Sequence, residues 1–325
     1  MDNVEHEGAR WMQHMRRGEW ELAWLISDQV HAGRERPRDD DKLPRHQQSI
    51  WTGQPLDGKR VLVRCYHGLG DTVQFWGLLS LLRQRASHVI VWAQPHLLSL
   101  LATGSGCDEL LPLHDGVVAA DYEVDIELME LPHALRLTPA ALPLPVPYFH
   151  LPAAERRAGW PSTPHEVGRL RVGIVWQSGS WDRRRSIPSE QLRRLLCVPG
   201  IHWEVFQRDA EPEARALFGT TAARFRDVVE EARAMRTLDL LITVDTFPAH
   251  LGGALGVPTW TLLPKRADWR WMDQGEQCLW YPTMRLFRQR TEGDWPEILA
   301  RVADELTLCA LARVNSSQWE HTTEV

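Results

Sequence analysis

Apolar runs of strand length recur along most of the chain, and nearly every one is followed by a stretch with helical spacing. Residues 59–66 (KRVLVRCY), 88–93, 108–112 and 125–129 read as strands, because aliphatic and β-branched side chains follow one another without a three-to-four spacing. Residues 73–85 and 95–102 do carry that spacing and read as helices between them. A second series opens at 170–177 and continues through strands at 202–207, 240–244, 259–263 and 285–288. Helices are expected at 189–197, 211–218, 228–238, 249–255 and 295–306. Strands alternating with helices predict a parallel sheet wrapped by helices, here twice over. Between the two series, residues 138–164 hold Pro139, Pro143, Pro145, Pro147 and Pro152 and read as a connector.

The first 50 residues follow another pattern. Residues 9–15 and 19–30 are amphipathic helices broken at Arg17-Gly18, and 31–48 is a charged, solvated connector containing Asp39, Asp40 and Asp41. Gly18-Glu19-Trp20-Glu21-Leu22-Ala23 resembles the turn and second helix of a tetratricopeptide unit. One such unit cannot bury its apolar face alone, so it is expected to pack on the body of the protein, on a protein partner or on a second copy. Residues 315–325 read as a flexible tail.

Composition narrows the class. A chain of 325 residues, 43% hydrophobic and 25% charged, is an ordinary globular protein with room for two domains. A net charge of -6 argues against a general nucleic-acid binder. No apolar run reaches membrane-spanning length, and the opening residues do not form a signal peptide. The five cysteines lack C-x-x-C spacing, which points to a reducing compartment and to no zinc site. The expected location is the cytoplasm, with the periphery of the inner membrane left open. Tryptophan stands out, at 16 against 4 tyrosines and 7 phenylalanines, and most are expected in cores.

Candidate chemistry gathers where strands hand over to helices, the ligand edge of an open parallel sheet. After 240–244, Asp245 can hold a hydroxyl, Thr246 can cap the next helix, Pro248 costs no hydrogen bond in its first turn, and His250 can lean back one turn. The amides from Thr246 to Ala249 suit a phosphate. A purely structural corner, with Thr246 capping and His250 packing, explains the same residues. In the first series, Gly68-Leu69-Gly70-Asp71-Thr72 lets backbone approach a ligand. It is not the dinucleotide fingerprint, since Gln74 takes the third glycine place. Read locally, Asp71 or Thr72 can cap the helix. Ser178 and the run Arg183-Arg184-Arg185 precede a helix and suit a diphosphate, or form a solvated basic turn. Trp176 and Gln207 end strands where a nucleobase would sit. Residues 265–271, with Trp269 and Trp271, can reach a ligand or only anchor a loop. No histidine spacing marks a metal site.

Asp245-Thr246-x-x-x-His250 followed by Leu-Gly-Gly-Ala-Leu-Gly-Val-Pro (251–258) resembles the signature of the family-nine glycosyltransferases, which include the bacterial heptosyltransferases. The segments DWRWMDQ (268–274) and LWYPTMRLFRQ (279–289), with Gly293-Asp294-Trp295, are similar to the glycosyltransferase domains attached to tetratricopeptide repeats in bacteria. The likeness runs from about Trp51 to Leu306. It implies two Rossmann-like lobes facing a cleft, the GT-B architecture: an acceptor lobe at 51–165 and a nucleotide-sugar lobe at 166–314, after the helical segment 1–50. It also implies that Asp71 is the general base, that Arg185 stands where the family has a lysine, and that transfer inverts the anomeric centre without a metal or other cofactor. Ile187 stands where the family has a tryptophan, which departs from the heptosyl-donor pattern.

The reading that follows is an inverting transferase that moves a sugar from a nucleotide-diphosphate donor, ADP-heptose-like or UDP-linked. Its acceptor would be a glycan, a lipid-linked sugar or a protein. Gly68, Gly70, Thr72, Trp176, Ser178, Arg185, Asp245, Thr246, Pro248, Ala249 and His250 would bind substrate, with Asp71 catalytic. A non-catalytic scaffold on the same fold, and a sugar-nucleotide epimerase or hydrolase, are the alternatives.

Overall fold

A computed structural model describes residues 2–32, 51–151, 168–180 and 182–322. The expected connector beyond Ala32, most of the second half of the proline-rich connector and the expected boundary at 165 lie outside them. Contacts divide the chain into one unit of Met1–Phe149 with Asp268–Gly275, and another of His150–Ala267 with Glu276–Val325.

The first unit opens with two helices, α1 (Asp2–Arg17) and α2 (Trp20–Ala32), turned at Gly18, whose φ of 77° favours glycine. A four-stranded sheet follows: β1 (Arg60–Arg64), β2 (His88–Ala93), β3 (Glu109–Pro112) and β4 (Val124–Glu127), in the order β3-β2-β1-β4 and parallel throughout. Val61, Leu62, Val63 and Val89 to Val91 are fully buried, as expected where helices and loops cover both faces. The helix expected over 73–85 is instead two, α3 (Leu69–Trp76) and α4 (Leu79–Arg83). It starts earlier because Asp71 caps it. It breaks at Gly77, where a Cβ would meet Leu144 at 3.0 Å and the Tyr148 ring at 3.2 Å. The Tyr148 hydroxyl donates to the Val73 carbonyl at 2.8 Å, so the break is packed by a ring tied to the same helix. Two short helices, α5 (Leu98–Leu101) and α6 (Leu131–Ala134), complete the wrapping.

The second unit holds β5 (Leu170–Val175), β6 (Ile201–Val205), β7 (Leu240–Val244), β8 (Thr259–Leu263) and β9 (Met284–Arg288), ordered β6-β5-β7-β8-β9 and again parallel. Its helices are α7 (Arg193–Leu196), α8 (Glu211–Glu213) running into one π-turn at Ala214–Phe218, α9 (Val228–Met235), α10 (Phe247–Ala254) and α11 (Trp295–Thr322). The backbone of α11 stays helical to Thr322, past the expected stop at Leu306 and through most of the expected tail. Ile298, Leu299, Val302 and Leu306 of α11 close a core built with Val172, Ile174, Ile242 and Leu262 of the sheet. The signature's paired glycines are explained by that packing. A Cβ on Gly252 would meet Leu241 at 2.9 Å, and one on Gly253 would meet the Tyr281 ring at 2.4 Å. Gly256, with φ of 72°, turns the chain out of α10.

Candidate active site

In the first unit the corner between β1 and α3 gathers charge. Gly68 is the N-cap residue, and Asp71, three positions on, accepts the Gly68 N–H through Oδ2 at 2.9 Å. Its other oxygen, Oδ1, takes a charge-assisted bond from Arg270 Nη2 at 2.8 Å. The Asp71 side chain keeps 22% of its surface exposed, against 12% for Arg270. Beside them His67 Nε2 lies 3.2 Å from Glu127. That hydrogen bond holds the imidazole above its ordinary value against the effect of burial; the Asp71 charge adds to the rise and Arg270 offsets part of it. Gln94 ties the turn from behind, donating to the His67 carbonyl at 2.7 Å and accepting the Thr72 hydroxyl at 3.0 Å. Asp71 therefore both caps and stays open to solvent. Thr72 is buried and braces the turn instead of facing a ligand.

In the second unit the corner after β7 is drier. Asp245 is buried, and Arg185 Nη1 donates to its main-chain carbonyl at 2.8 Å while lying 3.7 Å from its carboxylate. His250 is buried too, with Nδ1 3.2 Å from the Tyr281 hydroxyl and Nε2 3.9 Å from Asp245 Oδ1. Thr246 occupies the N-cap place, but its hydroxyl makes no cap hydrogen bond, so the expectation that it caps is corrected. The Ala249 N–H turns back to the Thr246 carbonyl at 2.9 Å and Pro248 has none, which reduces this corner's donors to Thr246 and Phe247. Ser178 Oγ donates to the Asp182 carbonyl at 3.0 Å, and the Ser178 N–H to Ser186 Oγ at 3.0 Å, so the loop after β5 is folded on itself. Trp176 is wholly buried against Phe218, with ring centroids 5.7 Å apart; it fills the core and does not line a nucleobase pocket. Gln207 Oε1 accepts the Trp176 and Gln177 N–H groups at 3.1 and 2.8 Å, so it too serves the backbone.

No protein-family model matches the chain. Protein FlbA of Caulobacter vibrioides is 26% identical over 290 residues, which covers 79% of this chain and 48% of that protein. The chain thus spans about half the length of the curated relative it matches. The crystal structure of the glycosyl transferase family 9 protein from Veillonella parvula superposes with a TM-score of 0.52 at 14% identity, over 82% of this chain and 99% of that one. The E. coli ADP-heptose LPS heptosyltransferase II does so with a TM-score of 0.53 at 14% identity, over 78% and 99%. The fold is that of the family 9 glycosyltransferases.

On this GT-B scaffold the sequence-derived residues fall into two clusters, one per unit. Gly68, Gly70, Asp71 and Thr72 share the first corner; Ser178, Arg185, Asp245, Thr246, Pro248, Ala249 and His250 line the loops after β5 and β7 of the second. Three groups of the same edges escape sequence reasoning. Arg270 looks like part of an anchoring loop until the fold brings it to Asp71. His67 lies in the loop after β1, and Glu127 ends β4, far along the chain. Glu231 is buried on α9, and its carboxyl is pushed above the ordinary value by burial, partly offset by Arg208 at 2.6 Å. Among the described residues no cluster of His, Cys, Asp or Glu could hold a metal ion, and no helix is long and apolar enough to cross a membrane.

Proposed function

We propose that this chain is a glycosyltransferase that moves a sugar from a nucleotide-diphosphate donor to an acceptor hydroxyl with inversion. The observation that carries the reading is Asp71, a partly exposed carboxylate fixed at the ligand edge of a parallel sheet in a family 9 fold. The acceptor oxygen attacks the anomeric carbon and gives its proton to Asp71, while the bond from that carbon to the β-phosphate oxygen breaks. The negative charge that gathers on the departing diphosphate falls to Arg185 and to the amides at Thr246 and Phe247. Residues 51–165 would present the acceptor and 166–314 would hold the donor, an ADP-heptose-like or UDP-linked sugar. The E. coli structure that superposes with a TM-score of 0.53 is by name an ADP-heptose heptosyltransferase, which makes ADP-heptose the first donor to try. The acceptor would be a glycan, a lipid-linked sugar or a protein, met in the cytoplasm.

The test is a thermal-shift screen of ADP, UDP, GDP and their sugars, followed by incubation of the best donor, labelled in the sugar, with a cell extract. A ligand bound only by the folded state raises the melting temperature. Label transferred to a macromolecule supports the reading. Donor that binds but stays intact turns the protein into a scaffold, and an epimerised or merely hydrolysed donor turns it into a different enzyme.

A further inference from the structure

The residues that hold Arg270 in place come from the opposite end of the chain. Trp269-Arg270-Trp271 forms a single 3-10 turn, capped by Asp268, whose Oδ1 accepts the Arg270 N–H at 3.0 Å. Trp269 is 6% exposed and sits edge-on between Trp11 of α1 and Trp20 of α2, with ring centroids 5.8 and 5.9 Å away. Its face lies near-parallel to Phe75 of α3, 6.5 Å away. The guanidinium carbon of Arg270 stands 5.5 Å from the Phe75 ring centre and 5.8 Å from that of Trp269. The Asp273 N–H donates to the Arg16 carbonyl at 3.0 Å, which pins the far end of the turn to α1.

We infer that Arg270 is a positioning residue for Asp71, and that the N-terminal hairpin is the clamp that keeps it there. The inference rests on Asp71 being the base. A carboxylate has about four lone-pair sites. With Gly68 on one oxygen and Arg270 on the other, its torsion is fixed while sites for an acceptor hydroxyl remain. A guanidinium suits this task better than an ammonium, because it is planar, keeps its charge and lies against aromatic faces. Fixing a reacting group before the reaction removes a cost from the barrier, and a misplacement of about 1 Å can lower a rate by roughly 100-fold. The hairpin's tryptophans thus have an occupant of their own chain, the turn that carries Arg270.

The experiment compares Asp71→Asn, Arg270→Ala, Arg270→Gln, Trp11→Ala and the Asp71→Asn/Arg270→Ala double variant in the full chain. Donor binding is read by calorimetry with ADP and UDP, and transfer by single turnover of labelled donor into the extract's acceptor. Arg270→Ala should bind nucleotide as before and transfer at least about tenfold more slowly. Millimolar guanidinium should restore part of that rate in Arg270→Ala and none in Asp71→Asn. The double variant should be no slower than Asp71→Asn, because the two act as one unit. Trp11→Ala should lose rate severalfold with nucleotide binding intact. If Arg270→Ala does not fold, Arg270→Gln takes its place, with the same loss expected. A native rate in the Arg270 variant beside an inactive Asp71→Asn overturns the positioning role and leaves the base standing. A native rate in Asp71→Asn removes the base itself. A native rate in Trp11→Ala removes the clamp alone.

Discussion

The two units each place an aspartate where a parallel strand hands over to a helix, and treat it in opposite ways. At the corner after β1, Arg270 binds the carboxylate of Asp71 directly, and the side chain stays 22% exposed. At the corner after β7, Arg185 binds the main-chain carbonyl of Asp245, whose side chain is 7% exposed. The first arrangement leaves a carboxylate partly open to solvent. The second fixes backbone: the arginine closes the strand end, and the buried carboxylate faces His250, itself tied to Tyr281. One motif type therefore yields a partly open carboxylate in one unit and a buried one in the other, and the difference lies in which oxygen the arginine takes.

The sharpest way to break this contrast is Asp71→Asn. Asparagine keeps the shape and can still accept the Gly68 N–H, but it loses the acceptor for Arg270, so melting should fall somewhat while the variant stays folded and donor binding is normal. Transfer should fall by roughly 100-fold or more, the scale of general base catalysis. The contrast fails if the variant transfers like the native chain. Arg185→Ala is the counterpart in the second unit. It should weaken nucleotide-diphosphate binding by roughly 1.5–3 kcal/mol, the worth of a hydrogen bond to a charged group, and leave nucleoside binding nearly unchanged. Equal losses for both ligands in calorimetry would assign Arg185 to structure alone.

A third test asks how tightly the second corner is shaped. In Gly253→Ala the new methyl would meet the Tyr281 ring at 2.4–2.7 Å on several atoms. Overpacking of this kind costs about 1–3 kcal/mol, so the melting temperature should drop, and His250 should lose its hold on Tyr281. An unchanged denaturation midpoint would show that the ring moves freely.

The smallest effect concerns pH. Burial raises the Glu231 carboxyl above its ordinary value. Above that ordinary value the folded chain still holds a proton that the unfolded chain has released, so stability falls as pH rises towards the folded value. Glu231→Gln removes this dependence while keeping a partner for Arg208. Its melting temperature should therefore decline less between mildly acidic and neutral pH than that of the native chain; an identical decline would show that Glu231 titrates normally.

Much of this was legible in the residues. Parallel strands buried on both faces leave continuous apolar runs, and all nine strands named here were visible as such or nearly so. Asp71 and Asp245 were visible because each lies where an apolar strand run hands over to a helix, Asp71 in the first turn of α3 and Asp245 directly after β7. What stayed hidden has a common cause. Arg270 and Asp71 are distant in sequence, and a Trp-Arg-Trp turn carries no local sign of the carboxylate it will meet. Trp176 misled for the opposite reason: a strand-end tryptophan near a ligand edge looks like a stacking platform, and only its burial against Phe218 assigns it to the core. Thr246 looked like a cap because threonine at that place usually is one. The break at Gly77 depends on Tyr148, far along the chain, and no local propensity encodes it.

The return of Asp268–Gly275 to the first unit also sets an order of assembly. A ribosome releases the sheet of β1 to β4 and both N-terminal helices early, but the turn carrying Trp269 and Arg270 emerges only after β5 to β8 have been made. Until then the hairpin's indoles lack the ring they close on, and Asp71 lacks its arginine. Domains commonly fold as they are synthesised. Here the first one can complete the corner at Asp71 only once most of the second has left the exit tunnel, so a chain truncated before residue 270 would carry Asp71 without the arginine that pairs with it.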